Sequence, residues 1–231
     1  MITTKAIFKI EKEINENLYL ISVTLEKYKK WVPGMFMQVS LDHKSASEPW
    51  LDSRAFSFAS WGSEKALILV RREGTFTKRL ISDSKKGFSG TVRYPFGNFL
   101  LLPDSNLVFL AGGAGISVFL SYLDFLNLED YRTHELEIFH SSKSSKEAVE
   151  RIYWNKIPIS TKIYQFVTDK ADINYTGRLT SDFLFSHSEK LDQKKFYICG
   201  PPQFNEYWIE NLNGNGIIPY TEQWINKVTQ E

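Results

Sequence analysis

Cysteine is nearly absent from this chain. A single residue, Cys199, among 231 excludes an intramolecular disulfide framework and any all-cysteine iron–sulfur cluster held within the chain. Excess charge of either sign is missing too. The 28 Lys and Arg against 27 Asp and Glu leave +1, which offers nucleic acid no basic field and leaves no acidic tail. No apolar run approaches the roughly 18–20 residues of a membrane-spanning helix. The opening MITTKAIFKIEKE is too short in apolar residues, and too interrupted by charge, for a secretory signal. The four histidines, His43, His134, His140 and His187, show no H-x-x-x-H spacing and no accompanying carboxylates. No metal site is therefore expected, and they are read as structural or surface residues. No Ser-His-Asp ordering, internal repeat or low-complexity tract stands out. These absences predict a soluble, cytoplasmic protein with no nucleic-acid contact and no membrane insertion.

What is there is apolar and aromatic. Hydrophobic residues make up 42% and aromatics 15%, with six Trp and seventeen Phe, enough core for one large domain or two average ones. The first hundred residues read as short strands (Lys5–Glu11, Leu18–Leu25, Met35–Leu41, Ala55–Ala59, Ala66–Val70, Thr91–Tyr94), punctuated by Pro33-Gly34, Trp61-Gly62 and Phe96-Gly97. That spacing predicts an antiparallel barrel, with a helical turn or two over Thr75–Ile81. After Leu107 strands and helices alternate. Strands Leu107–Ala111, Leu136–His140, Lys162–Thr168 and Phe196–Cys199 precede helices over Ile116–Leu126, around Lys146–Trp154, near Thr180–Phe185 and over Gln203–Leu212. Alternation of this kind predicts a doubly wound parallel α/β sheet. The predicted domains are 1–102 and 106–231, joined by a linker at Leu102-Pro103-Asp104-Ser105.

Three segments carry chemistry. LVFLAGGAGISVFL (Leu107–Leu120) is a buried strand broken at Gly112-Gly113, with Gly115 beyond and a helix from Ile116. Strand, glycine turn and helix can bring backbone N–H groups to a diphosphate, although such turns also occur without a ligand. KFYICGPP (Lys195–Pro202) is a second strand, ending in Cys199-Gly200-Pro201-Pro202. It puts a thiol at the carboxyl end of a parallel strand, where open α/β sheets bind ligands; a lone buried cysteine is otherwise an ordinary small core residue. Upstream lies Arg54-Ala55-Phe56-Ser57.

In this order the segments resemble the R-x-Y-S box, G-G-x-G-I turn and C-G-P-P box of the ferredoxin–NADP(+) reductase family, over nearly the whole chain. The resemblance implies a flavin-binding barrel followed by a nucleotide-binding α/β domain. It implies that Arg54 pairs with the flavin phosphate, that Phe56 supplies a stacking face without the usual phenol, and that Ser57 hydrogen-bonds near flavin N5. Val70-Arg71-Arg72-Glu73-Gly74-Thr75-Phe76-Thr77 looks like the family's second flavin segment, where the backbone of Gly74 and Thr75 and the Thr77 hydroxyl hold the diphosphate; a threonine-capped hairpin turn is the plainer alternative. Pro95-Phe96-Gly97-Asn98-Phe99 resembles the G-P-x-G-x-F segment closing the barrel, with Tyr94 where Gly is usual. Gly112, Gly113, Gly115 and Ile116 would hold the dinucleotide diphosphate, although Val118 stands where the family often has Pro. Cys199, Gly200 and Pro201 would lie beside the nicotinamide. Glu222 and Trp224 resemble the family's closing acidic–x–aromatic pattern, Glu222 orienting nicotinamide or relaying a proton and Trp224 covering the flavin.

By the same resemblance the protein is an NAD(P)H-dependent flavoprotein oxidoreductase using FAD rather than FMN, with Ser57, Cys199 and Glu222 as its catalytic residues. It would pass electrons to a separate acceptor such as a ferredoxin, a flavodoxin or an oxygenase component. The alternatives are a degenerate flavin-binding module and an electron-transfer subunit of a larger redox complex. The adenosine ribose is expected beside Ser142 and Lys143, in a loop with no arginine before Arg151. That favours NADH over NADPH, because the bidentate partner for a 2′-phosphate is missing.

Overall fold

Alternation of exposed and buried side chains builds the first half. In β1 (Ile2–Asn15) Thr4, Ala6 and Phe8 face inward while Lys5, Ile7 and Lys9 face out, the period of two that a half-buried strand requires. It pairs antiparallel with β2 (Leu18–Leu25) on one side and with β6 (Phe88–Phe96) on the other. With β3 (Phe36–Ser40), β4 (Arg54–Ser57) and β5 (Lys65–Arg71) the sheet order is β4-β3-β6-β1-β2-β5. A bridge between Phe58 and Ile68 brings its two edges together, so the sheet is a nearly closed barrel. A helix, α1 (Thr75–Ser84), connects β5 to β6. Trp31 stacks on Phe58 at 4.1 Å inside the barrel, and the Tyr94 ring meets Phe58 edge-on at 5.8 Å. Tyr94, at the position where a glycine is usual, donates its hydroxyl to the Lys27 carbonyl at 2.7 Å and accepts from the Lys29 amide.

The second half is a parallel sheet of order β10-β9-β8-β7-β11-β12. Its strands are β7 (Asn106–Gly112), β8 (Glu135–Ser142), β9 (Thr161–Val167), β10 (Tyr175–Thr176), β11 (Lys195–Cys199) and β12 (Tyr220–Thr221). α2 (Ile116–Leu128) and α3 (Val149–Ile152) pack on the face toward the barrel. α4 (Ser181–His187) and α5 (Pro202–Gly214) cover the other face. The computed structural model describes residues 1–101, 106–129, 135–158, 160–169 and 175–221. The expected linker at 102–105 lies outside them.

One helix is much shorter than its periodicity predicts. The Lys146–Trp154 segment forms a 3-10 turn over Ser145–Glu147 and only one α turn, because Ala148 between them is extended (φ −60°, ψ 143°). The break lies next to Glu147, which is held by contacts to the barrel rather than by its own helix.

β2 is buried on both faces. Tyr19, Ile21, Val23 and Leu25 fill the barrel, while Leu18 and Leu20 join Leu69 in an apolar cluster with Phe109, Phe119 and Leu123 of the second half. Beside that seam the Trp61 amide donates to buried Asp124 at 2.9 Å, and Ser121 donates to the Ser60 carbonyl at 3.1 Å. Burial raises the Asp124 carboxyl above its ordinary range, against the hydrogen bonds from Trp61 and Trp154.

Candidate active site at the switch point of the sheet

The chain runs from β7 outward through β8, β9 and β10, then returns to lay β11 on the other side of β7. The crevice of an open α/β sheet forms at such a reversal, beyond the strands' carboxyl ends. Here those ends are Gly112 and Cys199, with Ala111 and Cys199 directly paired. The glycine turn and the Cys-Gly-Pro-Pro segment are thus neighbours, and they interlock. A Cβ on Gly115 would stand 2.2 Å from the Cys199 carbonyl oxygen. One on Gly200 would meet the Phe204 ring at 2.6 Å and Gly112 Cα at 3.0 Å. Gly113 has φ +54°, the left-handed region that favours glycine. What approaches these glycines is the protein's own backbone and the Phe204 ring, a use that the sequence pattern does not distinguish from ligand contact.

α2 starts after a 3-10 turn over Gly113–Gly115, which the Ile116 amide closes on the Gly113 carbonyl; with no side-chain cap and no acid in its first turn, its positive end still favours an anion. Cys199 is buried in the cluster that holds Phe99, Leu101 and Tyr197. Exposed Pro201 caps α5, its carbonyl accepting from the Phe204 and Asn205 amides.

Behind the turn lies a polar network that sequence reasoning missed. His140 on β8 is fully buried. Its Nε2 lies 3.1 Å from the Gly113 carbonyl oxygen and its Nδ1 3.0 Å from Gln165 Oε1. Gln165 Nε2 donates to Ser142 Oγ at 3.0 Å. Burial lowers the imidazole's proton affinity, and the contacts with Gly113 and Gln165 oppose that. Ser142 is buried, its hydroxyl donated to the Ser144 carbonyl at 3.1 Å, so it faces inward rather than toward a ribose. Lys143 is exposed, and its carbonyl accepts from the Asp169 amide at 3.1 Å.

Beside the network the two halves are clamped. Arg71, at the end of β5, gives both terminal guanidinium nitrogens to Glu147, at 2.7 and 3.3 Å, and Asn15 Nδ2 donates to the same carboxylate at 2.9 Å. Burial works to raise the Glu147 pKa, but the hydrogen bonds from Arg71 and Asn15 overcome it and hold the group below its ordinary value. The clamp borders a cleft of ≈950 Å³ whose walls also carry Arg72, Lys143, Lys146, Glu73 and Asp169. Neither Glu147 nor Asn15 has a local sequence signal, since the contacts join residues 76 and 132 apart.

On the barrel, β4 and the start of α1 meet. Exposed Arg54 holds its guanidinium 5.6 Å from the Phe76 ring centroid and donates to the Ser53 carbonyl at 2.8 Å. Phe56 stacks on Phe76 at 6.2 Å. Ser57 is half-buried, paired in register with Phe36. Gly74 heads α1 with no side-chain cap and no acid in the first turn, and Thr75 is exposed. The Thr77 hydroxyl is already engaged, donating to the Gly74 carbonyl at 3.1 Å and accepting from the Glu73 amide at 3.0 Å. It shapes the turn instead of pointing out of it. Glu222 and Trp224 lie outside the described residues.

Known proteins share this arrangement. Residues 109–208 match the Oxidoreductase NAD-binding domain family. A ferredoxin NADP+ reductase from Neisseria gonorrhoeae with bound FAD and NADP superposes with a TM-score of 0.76, covering 98% of this chain and 95% of that one at 17% identity. The chain has the fold of that reductase. Among curated sequences, the chain is 25% identical over 235 residues to the anthranilate 1,2-dioxygenase electron transfer component of Acinetobacter baylyi, covering 96% of this chain and 66% of that protein. It is 26% identical over 191 residues to a component of the Na(+)-translocating NADH-quinone reductase of Methylococcus capsulatus, covering 71% of this chain. The chain spans only 46% of the length of that component. No helix among its described residues is long and apolar enough to cross a membrane.

Proposed function

We propose that this chain is an NAD(P)H-dependent flavoprotein reductase that receives a hydride equivalent from a nicotinamide dinucleotide and passes electrons to a separate acceptor. The observation that carries the reading is the meeting of the Gly112–Gly115 turn and the Cys199–Pro202 segment at the switch point, on a sheet that shares an apolar cluster with the barrel.

The residues present fit both cofactors. Each of two helix starts, at Gly74 and after Gly115, follows glycine and lacks a capping side chain or an early acid, as a diphosphate requires. Arg54 adds an exposed cation beside the first, with Phe56 and Phe76 as apolar faces. In this reading FAD lies along Arg54, Phe56, Ser57, Gly74 and Thr75, with Thr77 bracing the turn. The dinucleotide lies over Gly112, Gly113, Gly115 and Ile116, with its nicotinamide toward Cys199, Gly200 and Pro201. Bound together, the two cofactors supply hydride transfer and its division into single electrons. The chain itself binds and orients. Interlocked glycines fix the turn, the apolar surroundings of Cys199 keep water from the strand end, and the Ser57 hydroxyl offers a donor. Glu222 is read as orienting the nicotinamide or relaying a proton, and Trp224 as covering the flavin.

NADH is the favoured donor. The loop after β8 offers Lys143 and Lys146 but no arginine fork; Arg72 shares the cleft with Glu73 and Asp169, while Glu147 is spent on Arg71. Glu73 and Asp169 work against a 2′-phosphate. The acceptor is read as a ferredoxin, flavodoxin or oxygenase component, by likeness to the dioxygenase electron transfer component. Likeness to the quinone reductase component supports a second reading, a subunit of a larger redox complex.

Purified protein is expected to be yellow and to bleach anaerobically on addition of NADH, with a smaller kcat/KM for NADPH. Colourless protein that binds no added flavin would sink the proposal, and a hundredfold preference for NADPH would reverse the choice of donor.

A further inference from the structure

Gln165 fixes the chemistry of the buried His140 site. One atom of its amide lies 3.3 Å from the His140 carbonyl oxygen, 3.3 Å from that of Phe166 and 3.0 Å from Ser142 Oγ. Carbonyl oxygens only accept, so this atom is the amide nitrogen, and Oε1 is turned toward His140 Nδ1. On its other side the ring faces the Gly113 carbonyl oxygen. Both ring nitrogens therefore face acceptors, at 3.0 and 3.1 Å. A neutral imidazole has one N–H, and either tautomer leaves a lone pair directed at an oxygen. Only the imidazolium donates to both.

We propose that His140 is the positioning residue of the glycine turn and takes up a proton when an anionic dinucleotide diphosphate binds there; this rests on the reading of Gly112–Ile116 as the dinucleotide site. Full burial resists charging the ring. The charged groups that act on it are Glu147, which favours the proton, and Arg71, which opposes it. These two are paired with each other, so their effects on the ring offset. A diphosphate at the turn adds negative charge with no such partner, which tips the ring toward imidazolium. The second N–H then joins the Ile116 amide on the Gly113 carbonyl and fixes it from the other side. The protonated ring thus fixes the Gly113 peptide at the moment the turn is occupied.

The test is calorimetric titration of the flavin-loaded protein with NAD+ in buffers of different ionisation enthalpy. Net proton uptake is expected, with NAD+ binding tightening as pH falls by at most about tenfold per pH unit, the limit for one linked proton. His140→Gln keeps a donor toward Gly113 but cannot titrate, so proton uptake should vanish and NAD+ binding should lose its tightening at low pH. Uptake unchanged in this variant overturns the proposal. Should the variant not fold, nitrogen-15 imidazole spectra of the wild type decide, because only four histidines contribute. Both His140 nitrogens should become protonated on addition of NAD+, and a single neutral tautomer throughout refutes the idea. A protein that binds NAD+ without taking up protons defeats only this inference. One that neither binds NAD+ nor bleaches with NADH defeats the functional reading as well.

Discussion

Arg54 stands in solvent with its side chain laid over Phe76, restrained by one hydrogen bond to the carbonyl before it. Such a guanidinium keeps most of its donors for an incoming phosphate. Arg54→Ala is expected to weaken flavin binding by about 1.5–3 kcal/mol, the range of a charge-assisted hydrogen bond. Fluorescence titration of flavin into apoprotein measures this, and an unchanged dissociation constant removes Arg54 from the site. Cys199→Ala makes a different demand. If the thiol acts where geometry changes during hydride transfer, stopped-flow flavin reduction slows while dinucleotide affinity holds. A rate within about twofold of wild type would make Cys199 a packing residue, in keeping with its apolar neighbours. Thr77 and Ser142 show where single-residue reading ran short. Both lie in the segments that the motifs picked out, yet their hydroxyls are spent on the local backbone. A motif marks which backbone turns, not which side chain of the turn points outward.

At the scale of elements, the strand–helix order could be read because each long element carries its own period. Leu18–Leu25 was legible to the residue from its apolar and β-branched run. β10 and β12 were not, because two residues contain no period. The cleft walls were unreadable for another reason: Arg71, Asn15 and Glu147 find one another only after both sheets have formed. A buried ion pair fastens the sheet at a second place. Lys194, just before β11, reaches Glu137 of β8 at 3.0 Å, and Ser188, just after α4, donates to the same carboxylate at 2.5 Å. Both charged side chains are almost fully buried, 3% and 2% exposed. Lys194→Ala leaves Glu137 with the hydroxyl but no cation, and should cost about 3–5 kcal/mol in denaturant unfolding. Replacing both by Met and Leu should cost much less, since the desolvation penalty goes with the charges. Equal losses in the single and double variants would refute this account.

For the whole molecule, stability and the arrangement of the cleft depend on the same clamp. Glu147 is held below its ordinary pKa of 4.5, so its contribution is fully present above that pH and fades as pH falls through the lower folded value. Glu147→Gln is expected to lower stability at neutral pH by about 1.5–3 kcal/mol, and the gap to wild type should close on acidification. Melting temperatures of both proteins across pH 3–7 check the sign; a gap that widens in acid contradicts it.

β2 serves two cores at once, and that has a bearing on how the protein is made. A ribosome releases the barrel segment first, with Leu18, Leu20 and Leu69 in an apolar strip whose partners in α2 are still to come. The strip stays bare until Phe119 and Leu123 of α2 have been synthesised and have left the exit tunnel. During that interval the nascent chain presents a surface on which holding chaperones, or neighbouring chains on the same message, can settle.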